Sequence, residues 1–238
     1  MVLYLRYPSF HSIYNCSKNS GETWNCNTVA VKDHDFRSEA DAIAVPFSIY
    51  DLRNNSGFVC VGTSRDTPQF AVESITRWWS REEKQRYPNA RGLLILADAG
   101  GSNGARCRAW KHGLYKKLCN HYGLKVTVAH YPSGASKWNP VEHRLHSEIS
   151  KNWAGRPLDS IETILNYINT TTTSTGLKVR VTQADGSIKL ENALSTQSIG
   201  RYDVKVYDLW AKPYRTNEYL GKLPGNHHRT KGNLEEES

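Results

Sequence analysis

The apolar run Leu93-Leu94-Ile95-Leu96-Ala97 constrains this chain more than any other stretch. It is closed by Asp98 and followed by Gly100-Gly101-Ser102-Asn103-Gly104. A short run without polar alternation marks a strand covered on both faces, as at the centre of a parallel or mixed sheet. Asp98 then stands at the carboxyl end of a central strand, where open α/β sheets bind ligands. The glycines after it let backbone, metal or phosphate approach closely. The loop is neither a Walker A loop, since no Gly-Lys-Ser/Thr follows, nor a GxGxxG turn. An aspartate that only caps the turn after its strand accounts for the same residues.

The flanking elements extend the pattern. Val45–Leu52 and Phe58–Thr63 are β-rich runs joined by Asn54-Asn55-Ser56-Gly57, which predicts a hairpin. Thr67-Pro68 opens a helix with an apolar stripe at Ala71, Ile75, Trp78 and Trp79, ended by Tyr87-Pro88. A basic helix follows the glycine loop and ends at Gly123; Leu124–His130 is the next strand and Tyr131–Ser136 a loop. Further helices start at Asn139-Pro140, running to about Asn152, and after Asp159, with Glu162 completing a capping box. Leu177–Val181 reads as one more strand. Beyond about residue 195 no period is sustained before the acidic Glu235-Glu236-Glu237. Strands as a meander, then strands alternating with helices, imply an α/β fold: a mixed sheet flanked by helices, in the order expected of an RNase H-like fold.

Composition narrows the function classes. With 38% hydrophobic and 23% charged residues the chain buries a real core and is not wholly disordered. No apolar run reaches a membrane span, and Met1 to Phe10 lacks the features of a signal peptide. Five cysteines without a CxxC pair read as reduced cytosolic thiols. A formal charge of +8 favours polyanionic partners such as nucleic acid, although a basic enzyme of another kind has the same charge.

Glu142 lies in Ser136-Lys137-Trp138-Asn139-Pro140-Val141-Glu142-His143-Arg144. With Asn139 at the N-cap and Pro140 at N1, Glu142 falls at N3, the capping-box place. The same carboxylate on a first helical turn also faces the strand ends that carry Asp98, and two carboxylates there share a divalent cation and polarise a phosphodiester. His143 and His146 do not make an HExxH pattern and read as a solvated helix face. Cys107, Cys119, His121 and His130 lack zinc-site spacing. Trp78-Trp79 reads as core. Arg106, Arg108, Lys111, Lys116 and Lys117 form a basic face after Asp98, ordinarily solvated, and beside a metal site the place for a phosphate backbone.

Several of these stretches together resemble one family. Gly62-Thr63, Asp66-Thr67, Phe70-Ala71-Val72-Glu73-Ser74-Ile75, Trp78-Trp79, Leu96 to Gly104 and Ser136 to Arg144 match bacterial insertion-sequence transposases of the ISAzo type, whose domain is also called the Rhodopirellula-type transposase DDE domain. Asn152 to Leu158 and Thr170-Thr171-Thr172 with Thr175-Gly176-Leu177 continue the likeness. It covers roughly residues 15–182, leaving 1–14 unmatched and 183–238 as a partly irregular extension. The resemblance implies an RNase H-like domain that cuts and joins DNA with divalent metal, Mg²⁺ or Mn²⁺, held by a DDE triad. In an intact relative, water attacks the phosphodiester at the element end and the freed 3′-hydroxyl attacks target DNA. Carried over by position, Asp98 matches the second Asp and Glu142 the Glu, both catalytic and metal-holding. Arg106, Arg108, Lys111 and Lys137 take the DNA-contacting places.

The departures from the family matter as much. The family's first Asp falls near Arg6, in a stretch with no acid, so the first strand is expected to be missing or replaced and the sheet to carry an unpaired central edge. Asp51 is the nearest substitute acid and reads as a turn residue. The expectation is a truncated, impaired transposase domain whose partners are insertion-sequence ends, target DNA, and intact transposase or a second copy. Its expected place is the bacterial cytoplasm near the nucleoid. A non-catalytic DNA-binding remnant that dampens intact transposase is the rival. A nuclease of the same fold is a third reading, and it requires another acid beside Asp98 and Glu142.

Overall fold

The computed structural model describes residues 2–6, 12–13, 26, 43–98, 101–131, 138–184 and 204–208. In chain order the strands are β1 (Val2–Arg6), β2 (Ser12–Ile13), β3 (Ile43–Asp51), β4 (Ser56–Gly62), β5 (Gly92–Asp98), β6 (Lys125–Tyr131), β7 (Lys178–Gln183) and β8 (Val204–Asp208). The helices are α1 (Pro68–Trp78), α2 (Lys84–Arg86), α3 (Arg108–Leu114), α4 (Ser147–Asn152) and α5 (Ile161–Asn169). Wider π-helical turns at Trp79–Glu83, Tyr115–Asn120 and Glu142–His146 adjoin them.

The strands form one mixed sheet in the order β7-β4-β3-β1-β5-β6-β8, with β2 paired to β3. The hairpin β3–β4 is antiparallel, and β1 runs antiparallel to β3. From β1 outward on the other side, β5, β6 and β8 are parallel, while β7 joins β4 in parallel. This is the expected RNase H-like arrangement, with one correction. The centre is not open: Val2–Arg6 fills it, and Leu5 is fully buried between Ile49 and Ala97. A second addition is β8, which lies where no period was legible.

Local chemistry sets the elements. Thr67 caps α1 by accepting the Phe70 amide at 3.1 Å, with Pro68 at the first turn, as its sequence predicts. For α5 the cap is Ser160, one residue later than expected, accepting the Thr163 amide at 3.0 Å. Asn55 takes the hairpin's left-handed place at φ 46°, a conformation asparagine tolerates better than most residues.

Helices cover both faces. On one, Phe70, Ile75, Trp78, Trp110, Leu114 and Leu118 pack on Leu5, Phe47, Ile49, Leu93, Ile95 and Val128. On the other, Val141, Leu145, Ile149, Trp153, Ile164 and Ile168 pack on Ala44, Val59, Val61 and Val179. Trp78 and Trp79 belong to the core. Removing one such buried leucine to alanine costs about 2–5 kcal/mol.

Candidate active site

Strand alternation decides which face Asp98 belongs to. Leu93, Ile95 and Ala97 lie in the first cluster, so Leu94, Leu96 and Asp98 belong to the opposite face of β5. That is the face covered by the helical segment that carries Glu142. Gly57 on β4 lets this segment come close, since a Cβ there would lie 3.0 Å from Leu145 Cδ2 and closer still to Cδ1.

Asn139 joins the two halves of the site. It is fully buried; its Nδ2 donates to the Leu5 carbonyl at 3.3 Å, its Oδ1 accepts the Val141 amide at 3.4 Å, and its carbonyl accepts the Glu142 amide at 3.0 Å. Leu5 is the register partner of Ala97, next to Asp98. The helical segment that carries Glu142 is thereby bonded to the end of β1, the strand beside β5 and its terminal Asp98. The next register place on β1, beside Asp98, is occupied by Arg6.

The glycine-rich loop is anchored by residues to which spacing gave no role. Ser102 Oγ donates to Asp66 Oδ1 at 2.6 Å. His130, fully buried on β6, has Nε2 2.9 Å from the Asn103 carbonyl. A carbonyl only accepts, so Nε2 carries the proton. Asp66 was visible only as a letter in a motif, and His130 only as a failed zinc ligand.

The histidines correct the sequence-based expectation. His143 is exposed, but His146 is 5% exposed, with Nδ1 3.6 Å from Glu142 Oε2. The π-helical turn Glu142–His146 widens the spiral, so periodicity counted at 3.6 residues misplaces it. Glu142 is half-buried, and its Oε1 lies away from solvent.

Lys111 is a second correction. At 7% exposure it lies off the solvent surface; burial lowers its ammonium pKa, Arg108 adds to that, and Cys107 opposes it. Arg106, Arg108, Lys116 and Lys117 are exposed, and Lys137 lies outside the described residues. Trp138, just before Asn139, is 69% exposed.

Asp51 does not stand in for a third acid. It pairs with Leu3, which pairs with Ile95, so its Cα sits about 14 Å from that of Asp98 by strand geometry. Among the described residues no group of three or more His, Cys, Asp or Glu is placed to hold a metal ion. The donor chemistry of Asp98 and Glu142, two carboxylates at one sheet end, suits a single hard cation that keeps water and phosphate among its ligands. Among the described residues no third acid joins them to complete a two-ion centre.

A family model described as the Rhodopirellula transposase DDE domain matches residues 12–214, a span that includes β8. Among curated protein sequences none matches the chain. Among solved structures the chain is similar to the Mos1 transposase paired-end complex with left transposon end, at 11% identity and a TM-score of 0.48. That likeness covers 70% of this chain and 46% of the other, so the chain spans less than half of that neighbour. Among the described residues no helix is long and apolar enough to cross a membrane.

Proposed function

The chain belongs to the Rhodopirellula transposase DDE domain family, and from that premise we propose that it is a DNA transposase catalytic domain with impaired chemistry. The observation that carries this reading is the Asn139–Leu5 bond, which holds the Glu142 turn against the end of β1 beside Asp98. Asp98 and Glu142 would hold a Mg²⁺ or Mn²⁺ ion shared with a DNA phosphate. Such an ion, when bound, neutralises charge at the phosphate as its bridging bond breaks. The chain's own residues fix the rest. Asn139 ties the Glu142 turn to β1, and the Asp66–Ser102 and His130–Asn103 bonds anchor Ser102 and Asn103 shortly after Asp98. Arg106, Arg108 and Lys137 position the phosphate backbone of insertion-sequence ends and target DNA; the burial of Lys111 removes it from that surface.

The impairment follows from β1. A backbone in the right register carries Arg6, a permanent cation by residue type, where the triad requires an acid. Without that acid the nucleophile is poorly placed, at a cost of orders of magnitude in rate. Purified chain, Mg²⁺ and duplex carrying an element end are expected to give little or no strand transfer. Rapid transfer abolished by Asp98→Asn would overturn the impairment and keep the transposase reading.

A second reading, a DNA-binding remnant that regulates intact transposase, is favoured by the same Arg6 and by exposed Arg106 and Arg108. It requires DNA binding that weakens with salt and is indifferent to Asp98→Asn, because phosphate contacts need no metal. Binding that is insensitive to salt rejects both readings of the basic surface.

A further inference from the structure

His146 is the one histidine of its turn withdrawn from water, and it lies against the Glu142 carboxylate. We infer that His146 is a positioning residue that fixes the Glu142 carboxylate for cation binding. This rests on the reading of Glu142 as a cation ligand under the proposed function.

The geometry supplies the reason. Glu142 and His146 are four residues apart at the two ends of one π-helical turn, closed by the Ser147 amide on the Glu142 carbonyl. Leu145 and Ile149, on either side of His146 in sequence, are buried against the sheet, so the backbone that carries the ring is held. Both ring nitrogens are shielded from solvent, and Nδ1 is 3.6 Å from Glu142 Oε2. At that distance the contact is longer than a hydrogen bond, and the polar ring acts on the buried carboxylate electrostatically, favouring the rotamer that keeps Oε2 beside Nδ1. A free glutamate side chain has several rotamers to lose on binding a cation. A neighbour that has already chosen one of them raises affinity without touching the ion, as partners of metal-ligating groups generally do. His143, exposed on the same turn, is expected to be indifferent.

The test is a titration of the full chain with Mn²⁺ alone, followed by the paramagnetic signal of the free ion. His146→Phe is expected to weaken Mn²⁺ binding by roughly tenfold to a hundredfold. His146→Gln, whose amide keeps a polar group beside Glu142, should stay within about threefold of the parent by the same rule. Unaltered Mn²⁺ affinity in His146→Phe overturns the inference. Unaltered affinity in Glu142→Gln overturns the assignment of Glu142 itself, a distinct outcome that removes the inference with it. Ring ¹⁵N resonances of the unmutated His146 give a check that does not depend on the folding of His146→Phe. They should shift in Glu142→Gln, and a ring that does not respond to that change also overturns the inference.

Discussion

Asp51 and Asp98 each end a strand of this sheet, and their surroundings give them opposite roles. Asp51, at the end of β3, is fully buried and saturated. It accepts the Arg53 amide at 3.0 Å, Asn54 Nδ2 at 2.5 Å and the Tyr87 hydroxyl at 2.9 Å. Its charge is consumed in closing a corner. Asp98, at the end of β5, is half-exposed among groups held by bonds that do not use its carboxylate: Asp66 to Ser102, His130 to Asn103, Asn139 to Leu5. An acid becomes structural when its neighbours donate to it. One that keeps access to solvent can still take a cation.

Breaking that contrast at the Asp98 end should have the largest effect. Arg6→Asp places a third acid on a strand already in register, and Mg²⁺-dependent nicking of an element-end duplex is expected to rise on the order of a hundredfold. Asp98→Asn in the same chain should return it to baseline. At the other end the effect is on stability. Asp51→Ala strands three donors and should cost about 3 kcal/mol in urea denaturation. Asp98→Ala, at a half-exposed position, should cost less than Asp51→Ala. An equal loss for both would erase the distinction.

Asn139→Ala comes next, at about 1–2 kcal/mol, since a helix cap and a bond to β1 go together. The smallest effect is alkaline. The Tyr87 hydroxyl is pushed up to about 12, first by burial, then by its bond to Asp51 and the charges of Asp51 and Glu83. The folded value lies above the ordinary 10.0, so the protonated form is the one the fold favours. Its contribution is complete below pH 10 and is lost as pH rises towards 12. Melting temperature should therefore fall less steeply over that interval in Tyr87→Phe than in the parent.

Sequence legibility followed the range of the interactions. The hairpin, the Thr67 cap and the buried β5 are set by neighbours a few residues apart, and their letters show it. The role of Asp51 as a turn residue was legible for the same reason. β1 was not: nothing in Val2–Arg6 announces a central strand, because its partners lie far along the chain. His146 escaped because a π-helical turn shifts the phase of its helix, and Lys111 because a run of basic letters hides which one sits beside the buried Trp110. Asp98 and Glu142 were visible as candidates. What joins them, an amide on a strand carbonyl, has no signature in residue spacing.

The position of β1 also bears on the order of assembly. Each of its edges is completed by a strand made much later, so the sheet closes only through contacts of high sequence separation, a topology that folds slowly. Until the segment docks, the facing edges of β3 and β5 present unpaired backbone to any other chain. Refolding yield should therefore fall as protein concentration rises, and a peptide of the Val2–Arg6 sequence added in trans should compete for that gap during refolding.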